Sequence, residues 1–330
     1  MKKILQYTIS LVLAGGLLWF VFKDISLSEM LEEFRKADYK WLMLSGILAI
    51  IAHVSRALRW KMLMKPLGYR PSTFNTTLAV FIGYFANYVI PRMGEVSRCG
   101  SLKKTDDIPF EKSFGTVLTE RIFDVVSLLI VLSLNLILEF DKLQHFFMEQ
   151  FASKIYLIVG LLAFLAVAGI VGIYLFRKYQ QKLSDVPVLG KIVGFLNGLL
   201  DGLMSIKKIE KPYLFIFLSA NIWVMYWLSA YVLFFAIPET AHLSLLAGLT
   251  VLTMGSFGMA APTQGGIGPF HFLVGNALVL YGLPQKDGII LATFIHGSQM
   301  VTLLALGALS FLITLFIKPK TNDTRQSSNP

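Results

Sequence analysis

The chain alternates long apolar runs with short basic or charge-mixed stretches. A helix needs about 20 mostly apolar residues to cross the roughly 30 Å hydrocarbon core of a bilayer. Runs that approach or exceed this length occur at 4–22, 41–55, 122–138, 155–176, 212–236, 244–261 and 287–317. Two more, 74–91 and 267–283, are short or interrupted by Gly, Asn and Pro. The pattern predicts an all-α polytopic membrane protein with about 8 transmembrane helices, plus re-entrant or broken helices and interfacial amphipathic helices.

The two chain ends are interpreted from the same pattern. The first run follows Met1-Lys2-Lys3 and is bulky from Leu17 to Phe22, with no small-x-small cleavage site after it. We interpret it as an uncleaved first span rather than a removed signal peptide. The polar stretch 318–330 is expected to be a disordered cytoplasmic tail behind a membrane domain that covers 1–317.

Basic residues predict how the chain is oriented. Short loops rich in Lys and Arg stay in the cytoplasm, which places both termini inside. If 74–91 crossed the membrane, the basic stretch 92–121 would lie outside, against this rule. A re-entrant hairpin made of 74–91 and the residues after it removes the conflict, and such backbone is tolerated only where it is buried in protein or lines a wet cavity. The Gly- and Pro-rich segment 255–270 is a second break, and one broken element in each half is typical of transporter sites.

Two amphipathic segments complete the predicted architecture. Segment 23–40 carries apolar residues at helical spacing and is expected to lie in the membrane interface. Segment 186–206 fits either an amphipathic helix on the cytoplasmic face or a helix packed against the bundle.

Composition narrows the function classes. The chain is 55% hydrophobic and 15% charged, with a formal net charge of +10. A positive charge can indicate nucleic-acid binding, but these basic residues flank apolar runs, where they orient the chain and meet anionic lipid head groups. The single Cys99 excludes an internal disulfide. The sequence has no metal-ligand pairing, nucleotide loop or hydrolase elbow, so we predict no cofactor, no metal and no catalytic residue.

The first candidate site is the stretch from Asn87 to Arg98. It places a polar Asn in an apolar run, then Pro91, then Arg92, Glu95 and Arg98. Charges at membrane depth are costly, usually paired and functional by default. The planar arginine forks suit phosphate, and Glu95 is expected to pair with either arginine. The alternative is an ordinary interfacial turn with snorkelling arginines.

The second candidate is the cluster Glu120-Arg121-Ile122-Phe123-Asp124. Its two carboxylates are four residues apart, which places them on one helical face beside Arg121. The alternative is a charge cluster at a helix start that complements the helix dipole.

The third candidate is the face formed by His53, Arg56 and Trp60, with Arg59 nearby. It suits an anion site at the cytoplasmic interface. Positive-inside anchoring with an interfacial Trp explains the same residues.

The fourth candidate is the segment from Pro262 to His271. Gly265, Gly266 and Gly268 allow backbone amides to approach and cradle an anion. The alternatives are a breaker loop between two helices and, for His271, a packing role.

These motifs together resemble a known family, the flippase-like transmembrane domain of bacterial lysylphosphatidylglycerol synthases and its stand-alone relatives. The stretch Asn87–Arg98 fits the pattern Asn-x-x-x-Pro-x-x-x-Glu-x-x-Arg, and Glu120-Arg121-x-x-Asp124 follows at the expected distance. The Gly-Gly-Ile-Gly element after Pro262 lies in the second half. The resemblance covers roughly residues 4–317.

The resemblance implies an α-helical membrane domain that moves a lipid between leaflets. In the full synthases a soluble aminoacyl-transferase domain follows, whereas this sequence stops 13 residues after its last apolar run, so transferase activity is not expected. Many relatives place a carboxylate after the glycine element, where this chain has His271.

We therefore expect a flippase-like transporter in the bacterial inner (cell) membrane. The expected substrate is a phospholipid or a polyprenyl-phosphate-linked lipid held through its phosphate. The alternatives are a membrane-embedded lipid head-group transferase or phosphatase and a non-transporting partner of a glycosyltransferase. Expected partners are anionic or phosphate-bearing membrane lipids, with a homo-oligomer, a lipid-modifying enzyme or a glycosyltransferase as further candidates.

Overall fold

The computed structural model describes residues 27–90, 92–144, 187–261 and 263–318, with isolated positions between 160 and 178. This part of the chain is helical and has no strand, which confirms the predicted all-α class. The predicted spans 4–22 and most of 155–176, and the predicted tail beyond Lys318, lie outside the described residues.

Four of the described helices are long and apolar enough to cross a membrane. They are α2 (Tyr39–Met64), α5 (Phe110–Leu138), α7 (Pro212–Tyr231) and α10 (Gln285–Phe316). Helices α2 and α5 exceed their predicted apolar runs, 41–55 and 122–138, because their charged residues are paired inside the bundle and do not end the helix. The short α1 (Leu27–Lys36) precedes α2 and confirms the helix predicted within 23–40.

The first helical hairpin consists of α3 (Thr73–Val89) and α4 (Gly94–Asp106). Ser72 caps the first arm by accepting a hydrogen bond from the Asn75 amide. Asn75 Nδ2 donates to Asp106 Oδ2 at 2.9 Å, and the Gly94 amide donates to Asn87 Oδ1 at 2.7 Å, so the arms are antiparallel. The chain therefore turns back at residues 90–93, as the charge pattern predicts.

The second hairpin consists of α8 (Leu245–Ala260) and α9 (Pro269–Val279). Its turn, 261–268, is narrower than the break predicted over 255–270. Gly255 and Gly258 lie inside α8, where the absence of a side chain lets the arms approach: a Cβ on Gly258 would meet the Phe270 backbone at 2.5 Å. These two glycines serve arm packing rather than chain breaking.

The first hairpin enters the bundle from the end where α2 carries Arg56, Arg59 and Lys61, here called the basic end. Lys61 Nζ, near the end of α2, donates to Thr73 Oγ1 at 2.9 Å where the first hairpin begins. Lys104 Nζ, near the end of that hairpin, donates to the Thr314 carbonyl at 2.9 Å. The C-terminal end of α10 therefore lies at the basic end as well.

The second hairpin enters from the opposite end. The Asp38 amide, just before α2, donates to the Ala236 carbonyl at 2.8 Å, shortly before the second hairpin begins. Lys142, beyond α5, lies over the ring of Tyr281, just after the hairpin ends, at 4.7 Å. The two hairpins thus enter the bundle from opposite ends.

The two hairpin turns meet inside the bundle. Gln264 Nε2, in the second turn, donates to the Tyr88 carbonyl beside the first turn at 2.6 Å. Gly265 packs against the Tyr88 ring, where an added Cβ would lie 2.8 Å from a ring carbon. His296 Nε2, on α10, is 2.9 Å from the Gly265 carbonyl and supports the turn from behind.

Helix α6 (Pro187–Met204) decides between the two interpretations of segment 186–206. It packs against the first turns of α5, where a Cβ on Gly115 would meet the Leu199 carbonyl at 2.3 Å. Thr119 Oγ1 donates to the Gly202 carbonyl at 3.3 Å. The segment is a helix packed against the bundle.

Candidate functional site

The centre of the site is a buried carboxylate shared by three arginines. Glu120, on α5, is 1% exposed. Its Oε1 accepts from Arg56 Nη1 at 2.7 Å and is 3.4 Å from Arg59 Nη2, and its Oε2 accepts from Arg98 Nη2 at 2.6 Å. These contacts join α2 to the consecutive helices α4 and α5.

Asp124, one turn further along α5, extends this network. Its Oδ2 accepts from Arg56 Nη1 at 2.7 Å and its Oδ1 from Arg59 Nη2 at 2.6 Å. Arg121 Nη1 is 3.6 Å from Asp124 Oδ2. The two carboxylates share one face of α5, as their i, i+4 spacing predicts, and this face lies opposite Arg56 and Arg59 on α2.

This arrangement excludes two of the alternative interpretations. Helix α5 begins at Phe110, so Glu120 lies well inside the helix and does not complement its first turn. Arg59 is fully buried and donates through Nη1 to Ser219 Oγ at 3.2 Å, which an arginine that anchors the chain at the membrane interface would not do.

Aromatic side chains support the buried arginines. The Arg98 guanidinium lies 3.8 Å from the Trp60 ring centroid, and Trp60 Nε1 donates to Thr116 Oγ1 at 2.8 Å. The Nε atoms of Arg56, Arg59 and Arg98 are buried and have no hydrogen-bond partner among the described residues. The network therefore retains unsatisfied positive character.

Glu95 pairs with Arg121, and not with Arg92 or Arg98 as predicted. Arg121 Nη2 donates to Glu95 Oε1 at 2.6 Å, and both side chains are partly exposed. Arg98 is already engaged by Glu120 and Trp60, while Arg92 precedes α4 and lies in the turn. Both predicted partners are therefore directed elsewhere.

Arg92 differs from the other arginines. It is exposed, adopts a left-handed backbone conformation with φ of 63° and has no ion-pair partner among the described residues. A non-glycine residue in this region carries strain, which is commonest at functional sites. Its side chain lines the cavity described next.

A cavity of about 790 Å³ joins these residues. Its charged wall is formed by Arg56, Arg92, Glu95, Arg121 and Asp124. Its apolar wall includes Leu42, Val125, Leu128, Ala230, Val251, Leu252, Phe270, Ile295 and Leu303. The cavity thus changes from charged to apolar along its length.

An aromatic wall lies beside the charged wall. The His53 ring is 4.5 Å from the ring of Tyr84 and 5.6 Å from that of Tyr226, and all three line the cavity with Trp223. Tyr226 Oη is 3.3 Å from both His53 Nδ1 and Tyr84 Oη. Sequence reasoning missed both tyrosines and Trp223, because aromatics in an apolar span look the same whether they line a cavity or fill a core.

The predicted glycine site divides into two parts. Gly265 lies in the cavity wall, whereas Gly266, Gly268 and His271 are not among the described residues that line it. His271 Nδ1 accepts from the Gly268 amide at 3.3 Å, and its ring lies 5.0 Å from that of His296. These contacts hold the turn together from behind.

The other predicted residues also fall into two groups. Asn87 and Arg56 line the cavity, while Arg59, Arg98 and Glu120 lie behind it. Within the described residues, no group of three His, Cys, Asp or Glu side chains is close enough to hold a metal ion.

Comparison with known proteins gives a family and several distant relatives. The sequence model described as the lysylphosphatidylglycerol synthase TM region matches residues 7–307. The chain is 25% identical over 280 residues to the UPF0104 membrane protein MJ1595 of Methanocaldococcus jannaschii, a match that covers 78% of this chain and 83% of the relative. A second relative, the UPF0104 membrane protein PH1989 of Pyrococcus horikoshii, is 28% identical over 41% of this chain and 40% of its own length.

A third relative is the Glycosyltransferase AglD of Haloferax volcanii. It is 28% identical over 102 residues, which is 31% of this chain and 16% of that protein. No solved structure matches the chain.

Proposed function

Since the chain belongs to the family of the lysylphosphatidylglycerol synthase transmembrane region, we propose that it moves a membrane lipid between leaflets. The lipid is a phospholipid or a polyprenyl-phosphate-linked lipid, and arginines in the cavity hold its phosphate. The chain is a multi-pass membrane protein of this family, and the transport step is the proposal.

The cavity is the observation that carries the proposal. On α2 its wall runs from Arg56 to Leu42, which corresponds to about 21 Å at 1.5 Å per residue. This is a large part of the roughly 30 Å hydrocarbon thickness. A lipid is itself charged at one end and apolar along the rest, so a cavity with one charged and one apolar wall matches its chemistry.

The arginines have two different roles, one in contacting the phosphate and one in positioning the carboxylates. Arg92 and Arg121 face the cavity, and planar guanidinium groups match phosphate oxygens in a bidentate manner. Arg59 and Arg98 lie behind the wall and keep Glu120 and Asp124 in place. The buried layer acts as a positioning frame for the cavity-facing layer.

The meeting of the two hairpin turns suggests the moving part. The described contacts between the turns include the Gln264–Tyr88 hydrogen bond and the Gly265–Tyr88 packing, neither of which is ionic. Broken helices that meet inside a bundle are the elements around which transporters alternate access. We propose that separation of the turns opens a path for the head group.

The test is a leaflet assay in proteoliposomes with acyl-labelled phospholipid. Arg92→Gln is expected to slow lipid movement at least about tenfold, the factor that corresponds to losing one charge-assisted contact of about 1.4 kcal/mol. Arg70→Gln is the matched control, since Arg70 is exposed and outside the cavity wall. Equal rates for the two variants would refute the phosphate assignment.

A second function, a lipid head-group transferase or a partner of one, is favoured by the similarity to a protein named a glycosyltransferase. The same proteoliposomes distinguish it. A new lipid species after incubation with a sugar or aminoacyl donor indicates a transferase, whereas redistribution of an unchanged lipid pool indicates transport.

A further inference from the structure

We propose that the cavity selects lipids whose head group is an uncharged polyol on a singly charged phosphodiester, and that it excludes head groups bearing an ammonium. Glycerol and sugar head groups share this chemistry. This inference rests on the proposed function and concerns the charge class of the substrate at the same site.

The charge of the cavity wall is the first argument. Three guanidinium groups, on Arg56, Arg92 and Arg121, face two carboxylates, on Glu95 and Asp124, which leaves one positive charge. Both carboxylates are engaged at close range, Asp124 by Arg56 at 2.7 Å and Glu95 by Arg121 at 2.6 Å. An ammonium entering the cavity would find no unengaged carboxylate among the described residues of the wall.

The layer behind the wall strengthens this exclusion. Across the whole network, four arginines (Arg56, Arg59, Arg98, Arg121) oppose three carboxylates (Glu95, Glu120, Asp124), again with a positive excess of one. Arg56, Arg59, Arg98 and Glu120 are buried, so solvent screens this part of the network little. A singly charged phosphodiester neutralises this excess, while a second positive charge adds to it.

The aromatic wall would otherwise attract a cation. Trp and Tyr faces bind ammonium groups when no other cation is close. Here the Arg56 guanidinium lines the same cavity as Tyr226, and His53, on the same helix face as Arg56, packs on Tyr84. The Arg56 guanidinium beside these rings makes the wall suitable for neutral groups that stack on the rings or form hydrogen bonds with the hydroxyls.

Neutral hydrogen-bonding groups in the wall are suited to hydroxyls. Gln299, on α10, lines the cavity and forms no hydrogen bond with the described residues. The hydroxyls of Tyr84 and Tyr226, and the Ser45–Ser229 hydroxyl pair at 3.0 Å, also line it. Such a set exchanges hydrogen bonds with a polyol and offers nothing that compensates a positive charge.

The experiment compares four labelled lipids in proteoliposomes of the full chain. They are phosphatidylglycerol, a polyprenyl glycosyl phosphate, phosphatidylethanolamine and the lysyl ester of phosphatidylglycerol. We expect at least one of the first two to move about tenfold faster than both ammonium-bearing lipids. Whichever of the two moves identifies the source of the polyol. Equal rates, or a preference for an ammonium-bearing lipid, would overturn the inference.

A matched pair of variants tests the electrostatic cause. Gln299→Glu adds a carboxylate of nearly the same shape to the cavity without breaking an existing pair, and Gln299→Met keeps the volume without charge. We expect Gln299→Glu to reduce the tenfold preference to about threefold or less, and Gln299→Met to retain discrimination against the ammonium-bearing lipids. An unchanged preference in Gln299→Glu would show that wall charge does not set selectivity.

Failure of the proposed function is recognised separately. If none of the four lipids moves, transport is refuted, and native mass spectrometry of the purified protein titrated with the same lipids then decides the inference. Preferential retention of the polyol lipids supports it, and equal or stronger retention of the lysyl ester overturns it.

Discussion

The two hairpin turns differ in almost every respect except their position. The first, at residues 90–93, leads directly into a helix that carries Glu95 and Arg98 and contains a strained arginine, Arg92. The second, at 261–268, has no charged residue and relies on glycines at positive φ. Charge is thus concentrated on one side of the meeting point, while the other side supplies a closely fitting neutral surface.

The two hairpins are also attached to α5 by different kinds of interaction. Arg98 of the first hairpin pairs with Glu120, which is buried. In the second hairpin, Thr250 and Thr253 exchange neutral hydrogen bonds with the amide of Asn135 at 3.1 and 3.0 Å. Breaking a buried ion pair costs far more than losing a neutral hydrogen bond, because an unpaired charge remains. Helix α5 therefore holds both hairpins, the first through a buried ion pair and the second through neutral hydrogen bonds.

The largest expected effect on stability comes from removing the ion pair between Arg98 and Glu120. Glu120→Gln leaves the guanidinium groups of Arg56 and Arg98 without their shared carboxylate, and a loss of about 3–5 kcal/mol in unfolding free energy is expected. Thermal unfolding in detergent measures it. Glu239→Gln, at an exposed position, is the control and should change stability by less than about 0.5 kcal/mol. A melting temperature for Glu120→Gln equal to the control's would contradict the ionic fastening.

A smaller effect tests the fit between the turns. Gly265→Ala places a Cβ 2.8 Å from the Tyr88 ring at a φ of +60°, whereas Gly282→Ala introduces the same kind of strain at +82° with open space around it. We expect a cost of about 1 kcal/mol for Gly282→Ala and about 2–3 kcal/mol for Gly265→Ala. Denaturation of both variants measures the difference, and equal costs would show that the turns do not need their close fit.

The smallest expected effect on stability is that of replacing Arg92, which should change stability and transport in opposite directions. Arg92→Gly relieves the left-handed strain and should raise the unfolding free energy by up to about 1 kcal/mol, while it removes the cavity-lining guanidinium and slows lipid movement. Arg92→Gln retains the strain and separates the two contributions. A lower unfolding free energy for Arg92→Gly would contradict the interpretation that Arg92 serves lipid binding at the expense of stability.

Sequence reasoning reached the helical class and the first turn, because charge placement and apolar runs are local properties. The spacing of Glu120 and Asp124 also predicted their shared face. Ion-pair partners on different helices could not be predicted from the sequence. Glu95, for example, pairs with Arg121, which is 26 positions away and belongs to another helix. Gly255 and Gly258 resembled breakers, since glycine is used equally for turns and for close helix packing.

The aromatic wall was missed for a similar reason. Tyr84 and Tyr226 each lie in an apolar helical segment. The neighbouring sequence does not distinguish a ring that faces a cavity from one that fills a core. The alternative interpretations of Arg56 and Arg59 as interfacial anchors were decided only by burial, which depends on the opposing α5.

The fastening of Arg98 to Glu120 has a mechanical consequence. The second arm of the first hairpin is attached to α5 about one turn beyond its start, and the first arm is tied to the second by the Asn75–Asp106 and Asn87–Gly94 hydrogen bonds. We therefore expect the two arms to tilt as one unit about the Arg98–Glu120 pair. The turn that carries Arg92 lies close to this pivot, so such a tilt would move Arg92 less than the far ends of the arms.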